Sequence, residues 1–268
     1  MEKITKSKLG LSLLGVLVFI ISLLVNIPAN VIIPKKLQGL NLHGIQGTLW
    51  QGSVAQISQN NQALPVQQLQ WNLSALALLT GNISLEIEEL NTPAHQASIR
   101  YSLTSDTLEV SNAFWELPVQ ILQPLLPTMA VQMGVKPQGV LALSFKQLTI
   151  EGASSLSPNT LPIPTAINGA VKWEGAIINT PAEELIFGTP TLALSSEGNQ
   201  ILGRLNNGLP SLLIKNNQTR CDRNTRRCEL ALDFETNQQT SSTLIGSLPF
   251  FGLKQDDNRW QGTVNFSL

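Results

Sequence analysis

The sequence predicts an all-β protein, mainly antiparallel, that follows one N-terminal transmembrane helix. Three observations predict this class. Apolar and polar residues alternate in most segments beyond residue 34, clusters of Gly, Pro and Asn separate those segments, and an uncharged apolar run precedes them. Alternation with period two places one face of a strand on a core and the other in water. We expect one or two short helices and a curved sheet, either an open groove or a closed sandwich.

Composition excludes several classes of protein. The 268-residue chain carries 17 Lys+Arg and 18 Asp+Glu, a formal charge of −1, and 13% charged residues, against about 25% in typical soluble domains. A nucleic-acid binder needs a clustered basic surface, so we expect no nucleic-acid partner. The 43% hydrophobic content is enough to form a core, and 2 Cys exclude a disulfide-dense scaffold.

The first predicted element is the membrane anchor. No charged residue occurs between Leu9 and Pro34, and a helix over residues 9–27 spans about 30 Å, the thickness of the hydrocarbon layer. Slightly more lysines precede this run than follow it, which favours a cytoplasmic N-terminus. The prediction is a cytoplasmic tail at 1–8, a transmembrane helix at 9–27 and an external β-domain at 28–268. A cleaved signal peptide is the alternative, but its apolar region is shorter and ends at small residues.

The elements of the β-domain follow from the alternation. Five segments show it clearly and are predicted as strands: residues 67–73, 82–88, 140–145, 229–234 and 261–268. A short helix is predicted at Ser74–Thr80, because Gly81 can end it. A second is predicted at Leu117–Leu122, with Pro118 in its first turn.

Two stretches of the β-domain resemble each other. In each, a Gly precedes a Trp, and a second Gly follows two residues after it: Gly47, Trp50 and Gly52 in the first, and Gly169, Trp173 and Gly175 in the second. We interpret each as a strand that leaves a turn, with the aromatic ring packed on the sheet and a bend after it. This similarity between the two stretches, which we call the sequence echo, predicts two related β-units at 35–150 and 151–268. We expect core or sheet-edge positions for most tryptophans: Trp50, Trp71, Trp115, Trp173 and Trp260.

Several short motifs along the chain resemble one protein family. An L-x-G-x-x-G-T-x-W-x-G stretch occupies Leu42–Gly52, and a strand ending in Trp-x-Leu occupies Leu69–Leu73, before the short helix. A later Gly/Trp element and two cysteines near the C-terminus complete the pattern. With these motifs the chain resembles the type II secretion system protein N (general secretion pathway protein N) family. The residues that carry the motifs are Gly44, Gly47, Trp50, Gly52, Trp71, Gly169, Trp173 and Gly175.

The resemblance implies a bitopic inner-membrane protein of a Gram-negative cell, anchored by residues 9–27, with its N-terminus in the cytoplasm and its β-domain in the periplasm. It implies work in the machine that exports folded proteins across the outer membrane, and contact there with the secretin or the inner-membrane platform. Similar Gly/Trp elements occur in periplasmic proteins of the AsmA type, which build curved β-grooves and are implicated in lipid handling. A β-groove that shelters lipid is therefore the alternative function.

Two cysteines bracket a basic loop near the C-terminus. Cys221 and Cys228 lie between apolar runs, and two strands joined by such a loop bring their ends to disulfide distance. In an oxidising periplasm we expect them bonded, with two free buried thiols as the alternative. The loop carries the densest basic cluster of the chain: Arg220, Arg223, Arg226 and Arg227. This cluster either binds an acidic partner or lipid headgroups, or forms a solvated hairpin tip.

The sequence offers no catalytic, cofactor or metal site. His43 and His95 have no further ligands at metal-binding spacing, and both are expected in loops. No nucleophile elbow, phosphate-binding loop or dinucleotide-binding turn occurs. We therefore expect a non-enzymatic protein without cofactors that acts by protein–protein contact through exposed sheet edges or loops. A periplasmic enzyme is the least favoured function.

Overall fold

The chain forms a succession of antiparallel strands with a few short helices, in agreement with the predicted class. The computed structural model describes residues 16, 18–19, 22–37, 40–59, 62–121, 134, 136–155, 163–181, 184–206, 212–238, 240, 242–247, 249 and 253–267. The chain divides into two compact units, unit 1 at Met1–Pro93 and unit 2 at Ala94–Leu268.

Unit 1 is an antiparallel meander in which each strand pairs with the next one in sequence. Its strands are β1 (Lys36–Leu37), β2 (Leu40–Gly47), β3 (Gln51–Gln59), β4 (Gln62–Leu73) and β5 (Asn82–Glu89). Two short helices accompany them, α1 (Ala29–Ile32) and α2 (Ala75–Leu79).

Unit 2 is also built of antiparallel strands. Its strands are β6 (Thr92–Ser102), β7 (Thr107–Pro118), β8 (Lys136–Glu151), β9 (Ala166–Asn179), β10 (Glu184–Gly188), β11 (Thr191–Glu197), β12 (Gln200–Asn206), β13 (Leu212–Ile214), β14 (Asn217–Asp222), β15 (Arg227–Thr236), β16 (Lys254–Asp256) and β17 (Arg259–Ser267). A 3-10 turn at Ala153–Ser155 and the helix α3 (Ser242–Ser247) complete the described elements.

The strands of unit 2 pair in sequence from β6 to β9. The other side of β9 is shared by β10 and β11, and pairing then continues through β12, β14, β15 and β17. The short strands β13 and β16 pair with β15 and β17. β8 ends at Glu151, at the boundary that the sequence echo predicts, and pairs with β9, which follows that boundary. The compact units divide after Pro93, and the two related β-units at 35–150 and 151–268 remain a prediction.

One predicted helix is confirmed and the other is wrong. Ser74 begins α2 because its Oγ accepts a hydrogen bond from the backbone N–H of Ala77 at 3.3 Å, and Gly81 follows the helix with φ at +73°. The helix predicted at Leu117–Leu122 is absent: Leu117 and Pro118 end β7, and a 3-10 turn at residues 119–121 follows. Proline lacks the N–H that strand pairing needs, so it is tolerated at this strand end. Leu122 lies outside the described residues.

Fully buried apolar side chains are few in the described part of the chain. Phe234, Leu253 and Trp260 form a core cluster in unit 2, against which Leu232 and Ile245 pack. Of the five tryptophans, Trp260 is buried and the other four are half-buried on the sheet or its turns. Most apolar side chains of the strands therefore keep part of their surface exposed.

The N-terminal apolar segment is helical where the structure describes it. Residues 16, 18–19 and 22–25 are helical, and their apolar side chains are exposed. Residues 9–15, 17, 20 and 21 of the predicted span lie outside the described residues. In the described residues, no helix has both the length and the apolar character needed to span a membrane.

Candidate functional site

The family-motif glycine and threonine build the turn between β2 and β3. Gly47 has φ at +89°, and a Cβ at this position would lie 2.5 Å from the carbonyl oxygen of Gln51, so glycine is required here. The N–H of Thr48 donates to the Gln51 carbonyl at 2.8 Å, and the N–H of Gln51 donates to Thr48 Oγ1 at 3.2 Å. These hydrogen bonds fix the direction of the turn, residues 48–50, which we call the motif turn.

The motif turn holds the end of the N-terminal helical segment. Trp50 Nε1 donates to the carbonyl oxygen of Leu24 at 2.8 Å, and the N–H of Leu49 donates to the carbonyl of Ile27 at 2.9 Å. Pro28 forms an isolated β-bridge with Thr48. The last carbonyls of a helix have no partner within the helix, and Trp50 satisfies one of them. The motif turn thus sets where the apolar segment leaves unit 1.

Trp71 ties the motif turn to the neighbouring strand. It lies opposite Gly52 in the register of β3 and β4, and a Cβ on Gly52 would lie 2.6 Å from its ring atom Cη2. Its Nε1 donates to the carbonyl of Leu49 at 3.1 Å, and the N–H of Leu73 donates to the carbonyl of Trp50 at 2.6 Å. Only a glycine at position 52 leaves room for this indole.

Unit 2 repeats the same relationship between a tryptophan and a glycine. A Cβ on Gly139, where φ is +113°, would lie 2.8 Å from Trp173 Nε1 on the paired strand. Trp173 Nε1 donates to the carbonyl of Gln138 at 2.9 Å, and its ring stacks on Phe187 with centroids 6.3 Å apart. Trp173, like Trp71, lies on a paired strand with its indole N–H bound to a backbone carbonyl, whereas Trp50 lies in the motif turn.

The other family-motif glycines lie within strands. A Cβ on Gly44, where φ is +68°, would lie 2.7 Å from the Cβ of Ala55 on β3. Gly169 lies against the ring of Phe145 on β8, so a side chain there would collide with it. Gly175 has φ at +57° and open space around it, so its conformation, not a neighbour, favours glycine.

Both histidines lie in strands, not in loops as predicted. His43 is on β2 and its Nε2 lies 3.1 Å from Ser58 Oγ. His95 is on β6, buried, stacked on Trp115, and its Nε2 accepts from the N–H of Glu116 at 3.2 Å. No group of three potential metal ligands occurs among the described residues. These contacts give both histidines a structural role.

The predicted disulfide is present at the base of a tight hairpin. Cys221 and Cys228 lie directly opposite each other on β14 and β15, with their Cα atoms 4.0 Å apart. Asp222 Oδ1 accepts hydrogen bonds from the N–H groups of Asn224 and Thr225 at 3.0 and 2.8 Å. These bonds, led by that from Thr225, hold the pKa of Asp222 below its usual value. The disulfide at the base of the hairpin and the hydrogen bonds of Asp222 at its tip therefore both stabilise it.

The four arginines of this hairpin have different surroundings. Arg223 folds back, donating from Nη1 to the carbonyl of Thr165 at 2.6 Å and from Nη2 to the carbonyl of Gly198 at 2.7 Å. It therefore braces unit 2 instead of facing solvent, whereas Arg220, Arg226 and Arg227 are exposed. An open depression of about 510 Å³ lies beside the disulfide and carries charges of both signs. Its lining residues are Gln200, Arg220, Asp222, Arg227, Cys228, Glu229 and Asn265.

The last strand presents an unpaired edge. On one side, β17 pairs with β15 along its full length, from Arg259 to Ser267. On the other side, β16 pairs only with residues 259–261. No strand among the described residues pairs with this side of residues 262–267, which we call the C-terminal edge. Such an edge can accept a partner strand by backbone hydrogen bonds.

Comparisons with known proteins agree on one family. The family model described as type II secretion system (T2SS), protein N, matches residues 38–262. The type II secretion system protein N of Vibrio cholerae serotype O1 (strain ATCC 39315 / El Tor Inaba N16961) is 40% identical over 84 residues, which cover 31% of this chain and 32% of the relative. That of Aeromonas hydrophila is 25% identical over 214 residues, 76% of this chain and 77% of the relative. No solved structure matches the chain.

Proposed function

The chain belongs to the type II secretion system protein N family, and from this premise we propose that it is a single-pass inner-membrane component of the secretion machine. Residues 9–27 span the membrane, and the β-domain lies in the periplasm. There the C-terminal edge pairs with a strand of another secretion component, the secretin or an inner-membrane platform protein. The chain has no catalytic part in this role.

The composition of the N-terminal segment supports the anchor. No charged residue lies between Leu9 and Pro34, and the described helical residues of this segment expose apolar side chains. Solvent-exposed valine, leucine and phenylalanine on a helix suit an apolar environment. The disulfide between Cys221 and Cys228 suits an oxidising compartment such as the periplasm.

The C-terminal edge is the single observation that carries the proposed contact. Native proteins usually cover or shorten exposed strand edges because such edges associate. An edge of six residues next to a rigid, charged hairpin tip therefore suits recognition of a partner strand.

Thiol labelling tests the proposed topology. The only two cysteines of the sequence are joined in the disulfide, so an introduced cysteine provides the reactive thiol. We expect Ser105→Cys, in the exposed turn between β6 and β7, to react with a membrane-impermeant maleimide in cells with a permeabilised outer membrane. Ser7→Cys, in the proposed cytoplasmic tail, should react only after lysis. Labelling of both thiols before lysis would contradict the anchor.

Two neighbouring proline substitutions test the edge. Successive N–H groups of a strand point to opposite sides, so of Val264→Pro and Asn265→Pro one removes a hydrogen bond to β15 and the other blocks an incoming strand. Proline is tolerated on the open side of an edge strand. We expect one of the two variants to keep its thermal stability and yet lose protein export. Full export by the variant that stays stable would contradict pairing through this edge.

Lipid binding is the second candidate function, and one observation favours it. In the described part of unit 2, apolar side chains on β8 and β9, among them Leu143, Phe145 and Val171, are half-buried. Apolar surface of this kind needs a cover. Mass spectrometry of an organic extract of the purified protein separates the two functions: tightly retained lipid supports a groove, and its absence after detergent exchange rejects it.

A further inference from the structure

The helix α2 exposes leucines on one face. Leu76 and Leu79 are 76% and 83% exposed, and residues three apart lie on the same face of a helix. The helix is nevertheless well defined, because Ser74 caps its first turn and Thr80 Oγ1 donates to the carbonyl of Ala77 at 2.8 Å. In a short surface helix the apolar face usually packs inward. This one leaves Leu76 and Leu79 uncovered, and its third leucine, Leu78, is also 38% exposed.

Hydrogen bonds connect α2 to the end of the N-terminal helical segment. The chain enters α2 directly from Leu73, whose N–H donates to the carbonyl of Trp50 at 2.6 Å. The indole of Trp50 in turn donates to the carbonyl of Leu24, at the end of the N-terminal helical segment. Two hydrogen bonds therefore connect the start of α2 to the place where the apolar segment leaves unit 1.

The residues around α2 and the end of the apolar segment suit the surface of a bilayer. Neither residues 9–34 nor residues 74–85 contain a charged side chain. Trp50 lies between the two segments, and tryptophan is enriched where membrane-spanning helices meet the headgroups, because its ring is apolar and its N–H is polar. The uncharged helix α2 and the end of the apolar segment therefore both suit a position at the proposed membrane surface.

We propose that α2 is a second membrane contact, with Leu76 and Leu79 inserted among the lipids at the surface of the bilayer that residues 9–27 cross. The inference rests on the proposed anchor and extends it. Interfacial helices bury their apolar face about 5–10 Å into the headgroup boundary. Two contacts, one at the anchor and one at α2, restrict the tilt of unit 1 on the membrane more than a single helix does.

Site-specific fluorescence on the full-length protein tests this contact. Leu76→Cys and Leu79→Cys are each labelled with an environment-sensitive fluorophore, and the protein is reconstituted into vesicles of phosphatidylethanolamine and phosphatidylglycerol. The matched control is Leu103→Cys, in the turn between β6 and β7, because Leu103 is also exposed, at 56%. Val18→Cys, in the apolar helical segment, reports on the anchor itself. Some vesicles carry lipids with a nitroxide quencher near the headgroup, and others carry lipids with the nitroxide near the end of the acyl chain, at the depth of residue 18 in the middle of the proposed span.

We expect the labels at residues 76 and 79 to emit at shorter wavelength and to lose intensity with the headgroup quencher, while the label at residue 103 does neither. A quenched label at residue 18 with solvent-like labels at 76 and 79 would overturn the inference and keep the anchor. A blue-shifted but unquenched label at 76 or 79 would also overturn it, because a second copy of the chain would then cover the helix. No quenching at residue 18 would reject the anchor and the inference together.

Discussion

The indole ring of Trp71 occupies the space that any side chain on Gly52 would need, and Trp173 stands in the same relationship to Gly139. In both pairs the tryptophan N–H also donates to a backbone carbonyl close to the glycine, of Leu49 in the first pair and of Gln138 in the second. A contact between a tryptophan and a glycine of the paired strand thus occurs in both units. In unit 1 it supports the motif turn that holds the N-terminal segment.

Gly52→Ala should destabilise the protein because the added methyl group collides with the Trp71 ring and the Gln46 carbonyl. Overpacking of this kind costs about 1–3 kcal/mol of unfolding free energy. The matched control is Gly246→Ala in α3, where a Cβ meets no atom within 4 Å. Unfolding of the purified proteins in detergent measures both. A Gly52→Ala protein as stable as the wild type would contradict the described contact.

Trp50→Phe should loosen the N-terminal segment without unfolding unit 1. It removes the hydrogen bond to the carbonyl of Leu24 and keeps most of the ring. A net loss of about 0.5–1.5 kcal/mol is expected for one hydrogen bond. Hydrogen exchange at the N–H of Leu49, which donates to Ile27, is the local readout. Exchange there should accelerate in Trp50→Phe and stay unchanged in the control Trp260→Phe. Equal exchange in both variants would contradict the role of the Trp50 hydrogen bond in holding the N-terminal segment.

Arg223 and Arg220 should behave differently although they are neighbours on one hairpin. Arg223→Gln loses the hydrogen bonds to the carbonyls of Thr165 and Gly198, and bonds from a charged donor contribute about 1.5–3 kcal/mol. Arg220→Gln alters an exposed side chain and should change stability by less than about 0.5 kcal/mol. Thermal unfolding compares the two variants. Equal effects would contradict the bracing role of Arg223.

Removing the disulfide should weaken unit 2 moderately. The bond joins residues 7 apart in sequence, and such a short loop gives about 2–3 kcal/mol in the chain-entropy model. We expect the double variant Cys221→Ser, Cys228→Ser to unfold at lower denaturant concentration by the corresponding amount. The wild-type protein treated with reductant should match it. An unchanged midpoint in both would show that the hairpin is held by its other contacts.

Stability should fall in acid partly through Asp106. Hydrogen bonds from Ser154, and a further one from Tyr101, hold the pKa of Asp106 below its usual value. A lowered folded-state pKa gives stability that is present above the unfolded value of about 3.9 and is lost as the pH falls through the folded value. Asp106→Asn should therefore be less stable at neutral pH and less sensitive to acid. Wild-type acid sensitivity in this variant would contradict the prediction.

The sequence patterns predict the local elements well and the long-range contacts poorly. Alternation is a local property, so residues 67–73 and 229–234 were correctly predicted as strands, and Cys221 and Cys228 as a bonded pair. The helix at Leu117–Leu122 was wrong because strand pairing with β8 outweighs the helical pattern around Pro118.

The contacts that define the site depend on residues far apart in sequence. Spacing alone relates Trp50 to Trp173, whereas in the structure Trp50 lies in a turn and Trp71 and Trp173 lie on paired strands. The bond from Trp50 to Leu24 spans 26 residues, and that from Arg223 to Thr165 spans 58. No periodicity in the sequence carries information on such contacts.

Crosslinking in living cells tests whether the C-terminal edge binds another secretion protein. A photoreactive amino acid replaces Thr263 or Asn265 on the C-terminal edge, with Gln147 as the control, because Gln147 is exposed on β8 between two paired strands. Mass spectrometry then identifies the bound proteins and lipids. We expect residues 263 and 265 to crosslink to another type II secretion protein and residue 147 not to do so. Lipid alone at the edge, or equal protein crosslinks at all three positions, would contradict this expectation.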